Sequence, residues 1–324
     1  MIDSCTANGT TATGKLATSL LLEKSSDKDL FEIVGPEEAP VVAVLGGISA
    51  SRHVTRTAID PHPGWWEEFV GPAKVIDTNR FRVLSIDYRT VGRKDWRLTT
   101  YDQALGLANA LDLAGIPKVR AIVGASYGGM VALAFGAIAP QRAERLVVIG
   151  AAHESAPIAT AVRILQRRIV ELGISTGRSY EALVIARGLA MTTYSSAEEF
   201  SNRFGRADDD EPRDTCQEVG DFLIQSGKKF AGTCTPERFL ALSQSLDLHS
   251  VRPEDIRVPA TLIAVEEDAL VPVTQVRELA ARLAAPCRLV EIRSRHGHDT
   301  FLHAPNLIAP FVARSLEPKA GIRS

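Results

Sequence analysis

The chain has 324 residues, of which 45% are hydrophobic, and its 39 acidic residues nearly balance 37 basic ones for a formal net charge of -2. That length and apolar content can bury a large core, and suit one α/β domain carrying an insertion better than two unrelated domains. Acids and bases are intermixed, so no broad basic face is set up for nucleic acid or an anionic membrane, which leaves a protein that acts on small molecules.

Residues 1–14 are rich in Ser, Thr and Gly, lack the apolar core of a signal peptide, and read as a disordered leader. Phe31-Glu32-Ile33-Val34 alternates as a half-buried strand does, and a Pro-bounded turn leads into Val41-Val42-Ala43-Val44-Leu45, the continuous apolar run of a buried strand. Gly46-Gly47 follows at once. The next strand is expected over 82–88, an amphipathic helix over 103–114, and further buried strands over 119–123 and 145–149. Strands alternating with helices imply right-handed crossovers and a mostly parallel sheet. From 153 to 249 the chain turns helical, which marks a cap inserted into a core made of 15–152 and 250–324. The acid run Asp208-Asp209-Asp210-Glu211 within it reads as a solvated loop, because nothing fixes its carboxylates around an ion. The alternating rhythm returns with a strand over 260–265, a helix over 274–284, a strand over 287–292 and a helix from about Thr300.

Cys5, Cys216, Cys234 and Cys287 form no CxxC pair and have no ligand-like spacing with histidine. Reduced thiols, a cytoplasmic location and no metal or prosthetic group are therefore expected. No stretch approaches the length of a membrane span.

Chemistry concentrates at Gly124-Ala125-Ser126-Tyr127-Gly128, between a strand and the apolar helical run that ends at Ala139-Pro140. A serine on so sharp a strand-to-helix turn is lifted clear of the sheet, and the flanking glycines leave room for the crowded backbone. A hydroxyl is a poor nucleophile at neutral pH, so Ser126 needs a histidine base and a carboxylate to orient that base. Asp268, at the tip of the 260–265 strand and before Leu270-Val271-Pro272, is the expected acid, with Glu266 and Glu267 as neighbours that could serve instead. His298 in Arg295-His296-Gly297-His298-Asp299 is the expected base, preferred to His296 because Gly297 precedes it and a helix follows. His53, His62, His153, His249 and His303 read as surface or core filling. An oxyanion formed on attack at a carbonyl needs backbone amides, which the loop at Gly47 and Ile48 and the helix start at Tyr127 can supply.

Several stretches resemble the homoserine O-acyltransferase family. They are Gly64-Trp65-Trp66-Glu67-Glu68-Phe69, the serine motif Ala125-Ser126-Tyr127-Gly128-Gly129-Met130, the cap segment Ala186-Arg187-Gly188-Leu189-Ala190-Met191-Thr192-Thr193-Tyr194 with Arg203-Phe204-Gly205-Arg206, and Gly297-His298-Asp299-Thr300-Phe301. The resemblance runs from about Phe31 to the C-terminus. It implies an α/β-hydrolase fold with a mostly parallel central sheet and a helical cap, a triad of Ser126, Asp268 and His298, and an amino-acid pocket lined by Arg187, Tyr194 and Asp299. It also implies L-homoserine and an acyl-CoA as substrates, O-acylhomoserine for methionine synthesis as product, and a homodimer. Arg187 and Asp299 carry charges opposite to those of an α-amino acid, and the seven-residue spacing of Arg187 and Tyr194 sets both on one helix face. The family's His-Ala-Leu-Thr-Gly type of oxyanion loop is replaced by Leu45-Gly46-Gly47-Ile48-Ser49-Ala50. Arg52, His53 and Arg56 follow this loop as candidate acyl-donor contacts, and a cation there would favour a succinyl over an acetyl donor. Acylation of L-serine, carboxylester hydrolysis and, more remotely, a non-catalytic binding protein on the same fold are the alternatives.

Overall fold

The structure, a computed structural model, describes residues 31–90, 97–205 and 214–318. The expected leader and the acid run at 208–211 lie outside the described residues. The chain opens with β1 (Phe31–Val34) and β2 (Val41–Leu45), a short parallel pair β3 (Val70–Gly71) and β4 (Ile76–Asp77), then β5 (Arg82–Ile86) and α1 (Thr100–Leu113). It continues through β6 (Ala121–Ala125), α2 (Tyr127–Ile138) and β7 (Leu146–Ile149). Five helices follow: α3 (Pro157–Ser175), α4 (Ser179–Tyr194), α5 (Ala197–Phe204), α6 (Thr215–Ala231) and α7 (Pro236–Asp247). The chain closes with β8 (Ala260–Val265), α8 (Val273–Arg282), β9 (Cys287–Ile292), α9 (Thr300–His303) and α10 (Pro305–Leu316).

Seven strands form one sheet in the order β1-β5-β2-β6-β7-β8-β9. β1 runs antiparallel to β5 at one edge, and every other pairing in this sheet is parallel. Both faces of the sheet are covered, which is why β2 reads as an unbroken apolar run rather than an alternation. Val41, Ala43 and Leu45 join the core that holds α1, α2 and α8, whereas Val42 and Val44 join Trp66, Phe69, Phe301, Ile308 and Val312 on the other face.

Several boundaries differ by a few residues from the sequence expectation: β5 ends at Ile86 rather than 88, α8 spans Val273–Arg282 rather than 274–284, and two further shifts bear on the site. α1 begins at Thr100 rather than 103 because Thr99 and Asp102 form a capping box, with the Asp102 carboxylate accepting from the Thr99 amide at 2.8 Å. β6 runs to Ala125, directly against the serine, while Val119 makes only an isolated bridge to Ala143.

The cap helices leave the sheet after β7 and return before β8, through a neck closed by an antiparallel bridge between Glu154 and Ser250. They have their own small core of Val170, Leu183, Ala186, Phe230, Cys234 and Phe239. His249 pins the neck: its ring nitrogens meet the Thr100 hydroxyl at 2.8 Å and the Ala152 carbonyl at 3.0 Å, and burial pushes its pKa down to about 4. The ring is therefore neutral at physiological pH, with Nε2 donating to the carbonyl and Nδ1 accepting from the hydroxyl.

The turn between β6 and α2 leaves its glycines no room for a side chain. A Cβ at Gly128 would lie 2.2 Å from the Leu45 carbonyl oxygen, and one at Gly124 would lie 2.2 Å from the Gly128 oxygen. Backbone meets backbone there, so no side-chain rotation can relieve the overlap. Gly128→Ala is expected to destabilise the protein by about 1–3 kcal/mol or more, whereas Gly220→Ala on α6, with open space around its Cβ, should stabilise by up to ~1 kcal/mol. Urea denaturation of the two variants against the parent chain measures the contrast.

Candidate active site

Ser126 has φ 53° and ψ -120°, a backbone conformation rare for a residue with a side chain, between the end of β6 and the first turn of α2. Its amide donates to the Ile149 carbonyl at 2.8 Å, and its own carbonyl accepts from the Gly129 amide at 2.9 Å. The strained serine is thereby fixed at both ends. Its Oγ lies 2.8 Å from His298 Nε2, and His298 Nδ1 lies 2.7 Å from Asp268 Oδ2.

Asp268 divides its two oxygens. Oδ1 accepts from the amides of Leu270 at 2.8 Å and Val271 at 3.0 Å, leaving Oδ2 to the histidine, and the side chain is fully buried. Glu266 and Glu267 turn elsewhere: Glu267 accepts from the Ser294 amide at 2.8 Å, and both carboxylates pair with Arg293. His296 lies toward Glu199, not toward the serine. Burial disfavours the charged His298 ring, but the Asp268 carboxylate, helped by Asp299, outweighs it and holds the pKa above the usual value of 6.5.

Glycines shape the rest. Gly297, at φ 52°, passes so close to the cap that a Cβ would lie 2.9 Å from the Tyr194 carbonyl and 3.1 Å from that of Glu267. Gly150, at φ 56°, faces the Asp268–His298 pair. On the opposite side of Ser126, the loop after β2 turns away so that a Cβ at Gly47 would lie 4.0 Å from the Ser126 Cβ. Its Gly46 carbonyl accepts from the Gly128 amide at 2.9 Å and the Tyr88 hydroxyl at 2.7 Å. Tyr127 opens α2, and its amide, unlike those of Gly128 and Gly129, has no acceptor among the described residues, which suits it to an anion above the serine.

A cleft open to solvent lies between this array and the cap, and Gly47, Ile48, Ser126, Arg187, Tyr194, His298 and Asp299 all line it. Arg187 donates to the Tyr194 hydroxyl at 3.1 Å, and its guanidinium lies 4.7 Å and 4.9 Å from the ring centres of Tyr194 and Phe230. The Tyr194 ring is 5.8 Å from that of His298. The structure does not bring Arg52, His53 or Arg56 to the cleft. Arg52 pairs with Asp87 at 2.8 Å, His53 lies between Glu32 and the His62 carbonyl, and Arg56 pairs with Glu67 at 2.8 Å. Nearby carboxylates claim these side chains.

Sequence reasoning did not pick out the α3 and α7 wall of the cleft, where Ser155, Arg163, Gln166 and Ser243 also line it. No motif signals these residues. Arg163 and Arg167 in sequence look like the solvated face of an amphipathic helix, yet both are mostly buried on Asp247, each at 2.6 Å. Among the described residues, no three His, Cys, Asp or Glu side chains cluster as metal ligands, and no helix is long and apolar enough to cross a membrane.

Comparison with known proteins agrees with this architecture. The family model described as the alpha/beta hydrolase family matches residues 60–311. A homoserine O-succinyltransferase from Xanthomonas campestris is 37% identical over 298 residues, covering 89% of this chain and 79% of its own. A serine O-succinyltransferase from Litchfieldella anticariensis is 32% identical over 83% of this chain and 86% of its own. In three dimensions, the crystal structure of homoserine O-acetyltransferase from Bacillus anthracis superposes with a TM-score of 0.79 at 19% identity, over 90% of this chain and 92% of the other. The chain belongs to the alpha/beta hydrolase family and, within it, to the homoserine O-acyltransferases, and is an acyltransferase.

Proposed function

We propose that the protein transfers an acyl group from an acyl-CoA to the side-chain hydroxyl of L-homoserine through an acyl-serine, yielding O-acylhomoserine for methionine synthesis. The observation that carries this reading is the continuous Ser126–His298–Asp268 hydrogen-bonded array, set in a cleft that also presents a buried aspartate and an arginine with no carboxylate partner among the described residues.

In the first half-reaction, Ser126 Oγ attacks the thioester carbonyl while its proton passes to His298 Nε2. The tetrahedral oxyanion is held by the Tyr127 amide together with the amide of Gly47 or Ile48. Collapse breaks the carbon–sulfur bond, and the His298 proton goes to the departing thiolate, so CoA leaves as the thiol. In the second half-reaction, His298 takes the proton of the homoserine hydroxyl, whose oxygen attacks the acyl-serine carbonyl. The same amides hold the new oxyanion, and collapse returns the proton to Ser126 Oγ. Asp268 stabilises the imidazolium in both halves and fixes the tautomer that leaves Nε2 facing the serine.

Arg187 and the Tyr194 hydroxyl suit the homoserine carboxylate, and Asp299 suits its ammonium. Tyr194 packs beside His298, so an amino acid held there presents its side chain to the base. Transfer wins over hydrolysis only if the acceptor displaces water, and the cap walls the cleft on the side where the acceptor binds. The serine O-succinyltransferase relative makes L-serine the second acceptor to test.

Three outcomes are expected. Ser126→Ala should cut transfer roughly 10⁴-fold or more, and the parent enzyme should give parallel double-reciprocal lines with CoA released before homoserine is added. Intersecting lines, or near-normal turnover by the alanine variant, overturn the scheme. Arg187→Lys and Asp299→Asn should raise the homoserine KM about 10–100-fold, measured with homoserine and serine side by side. For pH, His298 must be neutral to act as the base, and its raised pKa places the acid limb of kcat/KM for the acyl donor above 6.5. Asp299→Asn removes a charge that favours the imidazolium, so that limb should move to lower pH; a limb that moves upward contradicts the assignment.

A further inference from the structure

We propose that Arg163 of α3 reads the distal carboxylate of a dicarboxylic acyl donor, which makes a succinyl thioester the preferred substrate over an uncharged acyl thioester of equal length. The assignment rests on the acyltransferase reading above and names the donor for that same cleft.

Arg163 lines the cleft with its side chain 11% exposed. Nε donates to Asp247 at 2.6 Å and one terminal nitrogen to the Ser155 hydroxyl, while the other, Nη1, has no acceptor among the described residues. Asp247 is shared. Its second oxygen pairs with Arg167 at 2.6 Å, and Arg167 is further tied to the Ser243 hydroxyl and carbonyl at 3.0 and 3.1 Å. Two guanidinium groups on one carboxylate leave a largely buried unit of positive charge, with both N–H groups of Arg163 Nη1 available to an acceptor.

The charges in the cleft match one substrate pair. An amino acid supplies a carboxylate for Arg187 and an ammonium for Asp299, which leaves the net positive charge of the Arg163–Asp247–Arg167 group uncompensated when the donor is neutral. A succinyl donor supplies the missing carboxylate. Glu154 also reaches the lining, but it is exposed and screened by water. The two cations lie on different walls. Arg187 is on α4 with Tyr194 beside His298, the side on which the acceptor must meet the base, whereas Arg163 is on α3 with Ser155, Ser243 and Leu246, left for the acyl chain. The positive charge of Arg163 is close enough to oppose the protonation of His298. Arg52, His53 and Arg56, the cations nearest the oxyanion loop in sequence, are engaged elsewhere.

The experiment compares succinyl-CoA with butyryl-CoA, which has the same number of acyl carbons and no carboxylate, by CoA release and by mass spectrometry of the acylated amino acid. The parent enzyme should favour succinyl-CoA in kcat/KM, and Arg163→Gln should shrink that preference about 10–100-fold, with Arg163→Lys intermediate because it keeps the charge without the fork. Thermal denaturation checks that both variants fold. The parent's donor ratio is measured independently of any variant, so equal turnover of the two donors by the parent overturns the proposal even if Arg163→Gln does not fold. A variant that loses both donors in proportion, or one whose defect lies in the homoserine KM, also overturns it. A parent enzyme that acylates neither homoserine nor serine from any donor overturns the acyltransferase reading and this assignment with it.

Discussion

The site depends on the contact between the turn that carries Ser126 and the end of β2. Gly128 lies against the Leu45 carbonyl with no room for a methyl group, and the Gly46 carbonyl accepts from both the Gly128 amide and the buried Tyr88 hydroxyl. This contact fixes two things at once. It holds Ser126 in its left-handed conformation at the top of the sheet, and it sets the Gly47–Ile48 loop beside the serine. A nucleophile and amides for an oxyanion are useful only at a fixed mutual distance, because a donor that must move during the reaction loses the advantage of being preorganised. Neighbouring parallel strands meet this need, since β2 and β6 pair directly through Leu45 and Gly124.

From that point Asp268 and His298 arrive by the same route, on loops after successive strands. β8 ends in the loop that carries Asp268, and β9 ends in the loop that carries His298. Their mutual position is fixed by Glu267, whose carboxylate takes the Ser294 amide, and by the two backbone amides that cap Asp268 Oδ1. The chemistry therefore gathers above the C-terminal ends of β2, β6, β8 and β9, where an open parallel sheet leaves a crevice between loops.

The parts legible in sequence were those where one residue type has a strong local reason. An unbroken apolar strand, a serine between glycines, and an acid and a histidine each following a strand all carry such reasons, and the sheet and the hydrogen-bonded array follow from them. Small offsets came from interactions that span a few residues, such as the capping box that starts α1 at Thr100. What sequence could not supply was the pairing of long cationic side chains. Arg52, His53 and Arg56 lie near the oxyanion loop in the chain but are drawn off by Asp87, Glu32 and Glu67. In sequence Arg163 looks like part of the solvated face of an amphipathic helix, yet Asp247, 84 positions away, folds it against the cleft. A guanidinium reaches far from its Cα, and its destination is set by whichever carboxylate the tertiary fold brings near.

The cap does more than cover the cleft. The end of α4 is joined to the histidine loop: the Ser196 amide and hydroxyl both donate to the Arg295 carbonyl, at 3.1 and 2.6 Å, and the Tyr194 carbonyl lies against Gly297. Arg187 and Tyr194 occupy the last turns of that same helix. A shift of α4 large enough to move Arg187 and Tyr194 would therefore also press on the backbone that aims His298. The end of α4 and the histidine loop are coupled through Gly297, where glycine tolerates both the φ of 52° and the close approach of two carbonyls. A transferase needs this coupling more than a hydrolase does. Water can reach the acyl-serine from many directions, whereas a tethered hydroxyl must meet the imidazole in one orientation before water does.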